Sequence, residues 1–145
     1  MTQEQKDLLL KDLCARLPYG VKVQVDLQSD TYSPIVCKVC SIECAEIGST
    51  FIGVETSPDT YNEFREFLCK PYLFPLSSMT DGQIYQSPFG YATLDAIRQD
   101  DIWSTITIGC KEYNDIVDWL NKNHIDHRGL IEKGLAIDAT GLNIY

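Results

Sequence analysis

The apolar residues of this chain change period within its first 25 positions, and that change confines it to a mixed architecture. Leu9, Leu10, Leu13, Cys14 and Leu17 recur at helical spacing, whereas Val21, Val23 and Val25 alternate with Lys22, Gln24 and Asp26. The first pattern lines one side of a helix and the second one face of a half-buried strand. Thr2 and Gln5 have the spacing of a capping box, which predicts a helix over residues 3–16. Pro18-Tyr19-Gly20 stops it.

Strand character continues downstream. One β-rich stretch runs from Pro34 to about Glu46 and another from Ser49 to Glu55, parted at Gly48. Three consecutive strands predict antiparallel neighbours, in a meander or a partly curled barrel. Ser57-Pro58 has the chemistry of a helix start, with Asp59 in the first turn and Tyr61, Phe64, Phe67 and Leu68 as the stripe. Pro71 to Pro75 reads as an ordered, extended connection. Over residues 77–93, Ser78 or Thr80 can cap a short helix, while Gly82, Pro88 and Gly90 suit an irregular loop equally.

Further on, Leu94 to Arg98 reads as a helical turn and Trp103 to Cys110 alternates like a strand. Tyr113 to Asn121 predicts a helix with Ile116, Val117 and Leu120 on its face. A short helix is expected after Asp126, ending at Gly134, with Leu135 to Asp138 as a strand or docked tail. The sum is a single compact α+β domain over residues 1–145, a small antiparallel sheet packed by three to four helices.

At this length the core suffices without a disulfide or metal. The six cysteines sit beside apolar neighbours, and Met1 to Asp7 is polar, unlike a secretory signal. Leu8 to Leu10 falls far short of a membrane span, so the expected location is the cytoplasm, without membrane contact. The net charge of −9 is uneven: residues 43–101 carry ten acidic and three basic groups, while residues 1–42 balance at five each. An acidic middle repels phosphate backbones, which argues against nucleic acid as a partner. It suits a solvated face or a protein partner.

Three constellations carry candidate chemistry. Cys37-x-x-Cys40-x-x-x-Cys44 has three soft ligands, but the second close pair of a tetrahedral zinc site is missing. Alternation along a strand would also send Cys37 to one face and Cys40 and Cys44 to the other. Small buried hydrophobes are the simpler reading, with a zinc-stabilised module as the alternative. His124 and His127 flank Ile125-Asp126, with Arg128 next. Such a cluster can move protons or bind an anion, with Ser78 or Cys110 as neighbours in a small enzyme or ligand-binding protein. The local alternative has Asp126 capping the following helix and His124 closing the preceding one. Tyr72, Phe74, Tyr85, Phe89 and Tyr91 cluster within the acidic middle. Exposed, they form a contact patch; buried, they pad the sheet against its helices. The chain has no nucleophile turn, phosphate loop or dinucleotide fingerprint, and no cofactor is expected.

The segment DWLNKNHIDHRGLIEKGLAIDA, Asp118 to Ala139, resembles the ending of a family of small uncharacterised proteins from gut Bacteroidetes and their phages or mobile elements. ARLPYGV, Ala15 to Val21, and KPYLFPLSSMT, Lys70 to Thr80, look like its other signatures. The resemblance covers about 40 residues. The family pattern often has an aromatic residue where His127 stands, which weighs against His127 as an essential catalytic group. No activity comes with the resemblance. The expected function is that of a cytosolic accessory protein of phage or mobile-element origin, acting through protein contacts with a partner or with itself as a homo-oligomer. The residues favour this over an enzyme.

Overall fold

The computed structural model describes residues 1–28, 33–44, 50–58, 60–88 and 110–145, with backbone alone at 44 and 110–112. Helix α1, Gln3–Arg16, opens with the expected capping box: Gln5 N–H donates to Thr2 Oγ1, and Thr2 N–H donates to Gln5 Oε1. A 3-10 turn, Leu17–Tyr19, follows, and Gly20 at φ +69 reverses the chain. Strands β1 (Lys22–Val25), β2 (Ile35–Cys44), β3 (Thr50–Ser57) and β4 (Thr60–Arg65) form a consecutive antiparallel meander. The valines of β1 are buried and Lys22 and Gln24 half-buried, as their alternation requires.

β5, Cys69–Pro75, lies on the other side of β1, and two-residue strands β6 (Ile125–Asp126) and β7 (Ile137–Asp138) both join β5 in parallel. The result is an open, mostly antiparallel sheet of seven strands in the order β4-β3-β2-β1-β5-β6, with β7 beside β5. Three α-helices are placed among the described residues: α1, α2 (Asp81–Gln86) and α3 (Cys110–Lys122). Thr80 caps α2 through a second capping box with Gln83.

Leu9 and Leu13 of α1 meet Val21, Val23, Val25, Cys37, Val39, Ile52, Val54, Cys69 and Leu73 on one face of the sheet. Each such fully buried aliphatic side chain contributes about 1.5–3 kcal/mol. A second cluster joins Met79 and Ile84 near α2 to Ile116 and Leu120 of α3 and Ile125 of β6. The opposite sheet face carries exposed Val36, Lys38, Glu55, Tyr61 and Lys70, while Phe74 at its β5 end packs against the second cluster.

Three expectations are corrected. Ser57-Pro58 does not start a helix; Ser57 pairs with Thr60 across a hairpin, and residues 60–65 form β4. Proline's fixed φ serves a turn as well as a helix start. Phe64 pairs with Ile52, and Tyr61 lies over Gly53, where a Cβ would stand 2.1 Å from Tyr61 Oη and 2.4 Å from Ser41 Oγ. The Pro71–Pro75 connection is part of β5, with Pro71 opposite Val23. The helix after Asp126 is a run of hydrogen-bonded turns, ending at Gly134 with the expected left-handed φ of +69. The turn expected at Leu94 to Arg98 lies outside the described residues. So does the strand expected from Trp103, except that Cys110 opens α3.

Candidate functional site

The His124–Arg128 segment begins where α3 ends. His124 takes the left-handed conformation, φ 55, and its amide donates to Asn121 O at 3.1 Å, so it closes the helix. Its own carbonyl accepts from Phe74 N–H at 2.9 Å, which docks the reversal onto β5. Asp126 then caps the following turns. Its Oδ1 accepts from Leu130 N–H at 2.9 Å and Arg128 N–H at 3.3 Å, and its Oδ2 from Ile131 N–H at 2.8 Å. This is the capping role that its sequence position suggests.

Below this segment lies an ionic network that crosses the molecule. Asp12, fully buried on α1, accepts from Arg16 Nε at 2.7 Å and Arg16 Nη2 at 2.9 Å. Arg128 Nη1 reaches the same carboxylate at 2.6 Å and also donates to Asn121 Oδ1 at 3.2 Å. Arg16, itself fully buried, donates further to Ile125 O at 2.8 Å and Leu120 O at 3.4 Å. Two guanidinium groups thus share one carboxylate, with Asn121 and backbone carbonyls as the remaining acceptors. Such arrangements hold only when nearly every polar atom is matched.

The imidazoles flank this network and stay neutral at pH 7. Burial lowers the His124 pKa to about 4, aided by the Arg16 charge. Burial, then Arg128 and Arg16, lowers His127 likewise to about 4. The His124 ring stacks on Tyr145 at 3.9 Å between centroids, and its buried Nδ1 has no hydrogen-bond partner among the described residues. Tyr145 is exposed overall, yet its hydroxyl points inward, donating to Tyr72 O at 2.7 Å and accepting from Lys22 N–H at 3.2 Å. Burial pushes that phenol up to about 12.

His124, His127 and Arg128 therefore do come together, but Arg128 is committed to Asp12 and Asn121. Ser78 donates its hydroxyl to Pro75 O at 2.7 Å, and the Cys110 side chain lies outside the described residues. Chemically, the arrangement can hold α1, α3 and the C-terminal turns in one register. Asp12, Arg16 and Asn121 are the members that sequence reasoning missed; for the first two a signal was present. The spacing of Asp12 and Arg16 from Leu9 and Leu13 puts all four on one helical stripe, and charged residues on such a stripe are that signal.

Cys37 is 3% exposed inside the sheet and Cys40 faces solvent, so these two do not converge on one ion; the Cys44 side chain lies outside the described residues. Among the described residues, no three His, Cys, Asp or Glu side chains are placed to hold a metal. Nor is any helix there long and apolar enough to cross a membrane.

The aromatic set divides. Tyr72 is buried and donates to Gln24 Oε1 at 2.9 Å, and Phe74 is half-buried beside Met79 and Ile84, so both pad the interior. Tyr85 is 77% exposed on α2. Phe89 and Tyr91 lie outside the described residues. Compared with protein-family models, curated proteins and solved structures, the chain matches none.

Proposed function

We propose that this chain is an accessory protein that works by binding another protein, with Tyr85 as the centre of its contact surface. The observation that carries the reading is the contrast between Tyr85 and its helix. Ile84 is 1% exposed in the second core cluster, Thr80 and Gln83 fix the first turn, and the neighbouring tyrosine ring is turned almost wholly into water. A rigid aromatic side chain on an anchored support loses little entropy on binding, which is why tyrosine is enriched at contact hot spots. Two polar groups suited to chemistry, by contrast, are occupied internally: Arg128 by Asp12 and Asn121, and Asp126 by three backbone amides.

The resemblance of residues 118–139 to small proteins of gut Bacteroidetes phages and mobile elements supports a role in the cytoplasm of a bacterial cell. The test is a photo-reactive phenylalanine analogue at position 85 in bacterial cells that make the protein, with a second at exposed Glu132 as control. A discrete protein adduct at 85, absent at 132, is the expected outcome. Equal or absent labelling at the two positions overturns the assignment.

A further inference from the structure

The pairing of β1 with β5 stops short. Val25, Gln24 and Val23 lie opposite Cys69, Lys70 and Pro71, and the same register would set Lys22 opposite Tyr72, yet the ladder ends before that pair. A phenol stands there instead. Tyr145 Oη accepts from Lys22 N–H at 3.2 Å and donates to Tyr72 O at 2.7 Å. One hydroxyl thus satisfies a donor on β1 and an acceptor on β5, and an apolar ring of the same size would leave both unmatched.

The walls of this slot are as particular as its floor. The Tyr145 ring stacks on His124, 3.9 Å between centroids and 12° from parallel, and Phe74 lies tilted to it at 5.9 Å. Lys22 Nζ stands 5.8 Å from the Tyr145 ring centroid and donates to Ile144 O at 2.6 Å. A single lysine therefore meets both the ring and the carbonyl that precedes it. His124 is 7% exposed, and its Nδ1 has no partner among the described residues, so the imidazole serves as a flat wall. Each wall has support of its own: Lys22 pairs with Lys38, the Tyr72 hydroxyl donates to Gln24 Oε1, and His124 O accepts from Phe74 N–H. The slot is built without help from Tyr145.

The segment that delivers Tyr145 has little else to hold it. Past Ala139, residues 140–143 are all exposed and turn through left-handed Gly141, φ 76, and Asn143, φ 49. Their hydrogen bonds among the described residues go to Asp138 and Ala139 alone, and a Cβ on Gly141 would meet no atom within 4 Å. The segment is a strap anchored at Ile144 and Tyr145. We infer that the slot is a recognition site for a tyrosine presented by another polypeptide, held shut by the chain's own Tyr145. The resident shows what fits: a phenol whose hydroxyl both donates and accepts, on a backbone whose preceding carbonyl meets Lys22. The 41% of Tyr145 left exposed marks the open side by which a second segment enters. Being tethered, the resident competes as an intramolecular ligand, so an incoming segment gains the slot only where it brings further contacts. No residue of the Tyr85 assignment takes part, and either assignment can fail alone.

The test titrates acetyl-Asn-Ile-Tyr-amide, the sequence of residues 143–145, into the Tyr145→Ala chain, followed by amide shifts, with circular dichroism as the check on folding. The expected result is a Kd on the order of 1 mM, with shifts centred on Lys22, Tyr72 and His124. The matching phenylalanine peptide binds at least about tenfold more weakly, because it leaves both backbone groups unmatched. Wild type binds the tyrosine peptide about tenfold more weakly than Tyr145→Ala, the ratio for a strap open roughly one-tenth of the time. Tyr145→Phe keeps the stack and loses both hydroxyl bonds, so it binds the tyrosine peptide more tightly than wild type does, and it is the second variant where alanine costs the fold. A folded Tyr145→Ala chain that ignores the peptide overturns the inference. Equal affinity for the two peptides, or equal affinity of wild type and both variants, does the same. Free phenol binding to Tyr145→Ala where the tyrosine peptide does not also overturns it, and reassigns the slot to a small phenolic ligand.

Discussion

Replacing Asp12 by alanine is the sharpest probe of how this molecule is held together. The carboxylate accepts three charge-assisted bonds, from Arg16 Nε, Arg16 Nη2 and Arg128 Nη1, and is fully buried. Alanine leaves Arg16 in place with no exposed side-chain surface, bonded only to Ile125 O and Leu120 O. Breaking a buried pair from one side costs about 3–5 kcal/mol, because the remaining ion is neither solvated nor paired. A chain of this length is stable by roughly 7–15 kcal/mol, so the substitution removes a fifth to two-thirds of the total. The melting temperature falls by about 6–20 °C, at 2–4 °C per kcal/mol for a chain of this size.

Arg128 suffers less, since its side chain is 14% exposed and can turn toward water. Asp12→Leu combined with Arg16→Met removes both ions and recovers most of the loss, as apolar replacements of buried pairs commonly do. Urea denaturation of the single and double variants gives the values. A loss below ~1 kcal/mol for Asp12→Ala would refute the account, because it would place the pair in the class of solvent-screened surface bridges. A double variant as damaged as the sum of its single substitutions would refute it from the other side.

Two further outcomes follow from the same geometry. His124 and His127 hold pKa values of about 4 in the fold against 6.5 as free groups, so the unfolded chain binds protons first as pH falls. Their contribution is complete above pH 6.5, declines as pH drops toward 4 and is level below it. It is on the order of 3 kcal/mol for each, at 1.36 kcal/mol per pKa unit, and urea midpoints of His124→Gln between pH 7 and pH 4 should be flatter than those of the parent chain. Gly53→Ala places a methyl 2.1 Å from Tyr61 Oη and 2.4 Å from Ser41 Oγ, breaking the 2.7 Å bond between those hydroxyls. The loss is about 1–3 kcal/mol by thermal melting, and Tyr61→Ala in the same chain should lessen the effect of the added methyl, leaving only its overlap with the Ser41 hydroxyl.

Features governed by near neighbours were legible in the sequence. The Thr2 and Thr80 caps, α1, the alternation of β1, the meander through β3 and the core of α3 each depend on residues a few positions apart. The Ser57 segment misled because proline, an acidic residue and aromatics at three-residue spacing satisfy a helix start and a hairpin alike. What decides between them is Ile52 opposite Phe64 and bare Gly53 under Tyr61, and both belong to another strand. The ionic network is more remote still: Asp12 and Arg128 are 116 positions apart, and neither residue alone announces burial. His124 was read correctly as a helix terminator because its surroundings, Asn121 and Asn123 before an apolar residue, are local.

These distances explain why the most distinctive stretch of the sequence is a fastening. Residues after α3 contribute only two-residue strands, too short to dock by pairing alone. They are held instead by directional bonds to several parts of the protein: Arg16 to Ile125 O, Phe74 N–H to His124 O, Ala139 N–H to Leu73 O, and Tyr145 Oη to Tyr72 O. Each bond requires a particular residue or backbone turn, which is why the segment from Asn121 to Gly134 reads as a motif although Asn121, His124 and Asp126 face inward. A motif of this kind ties α1 and α3 to β5 in one register. If the Asp12 network only sets the register of the C-terminal turns, then Arg128→Met should disturb amide signals from Ile125 to Leu135 while leaving those of Lys38, Lys70 and Tyr85 in place.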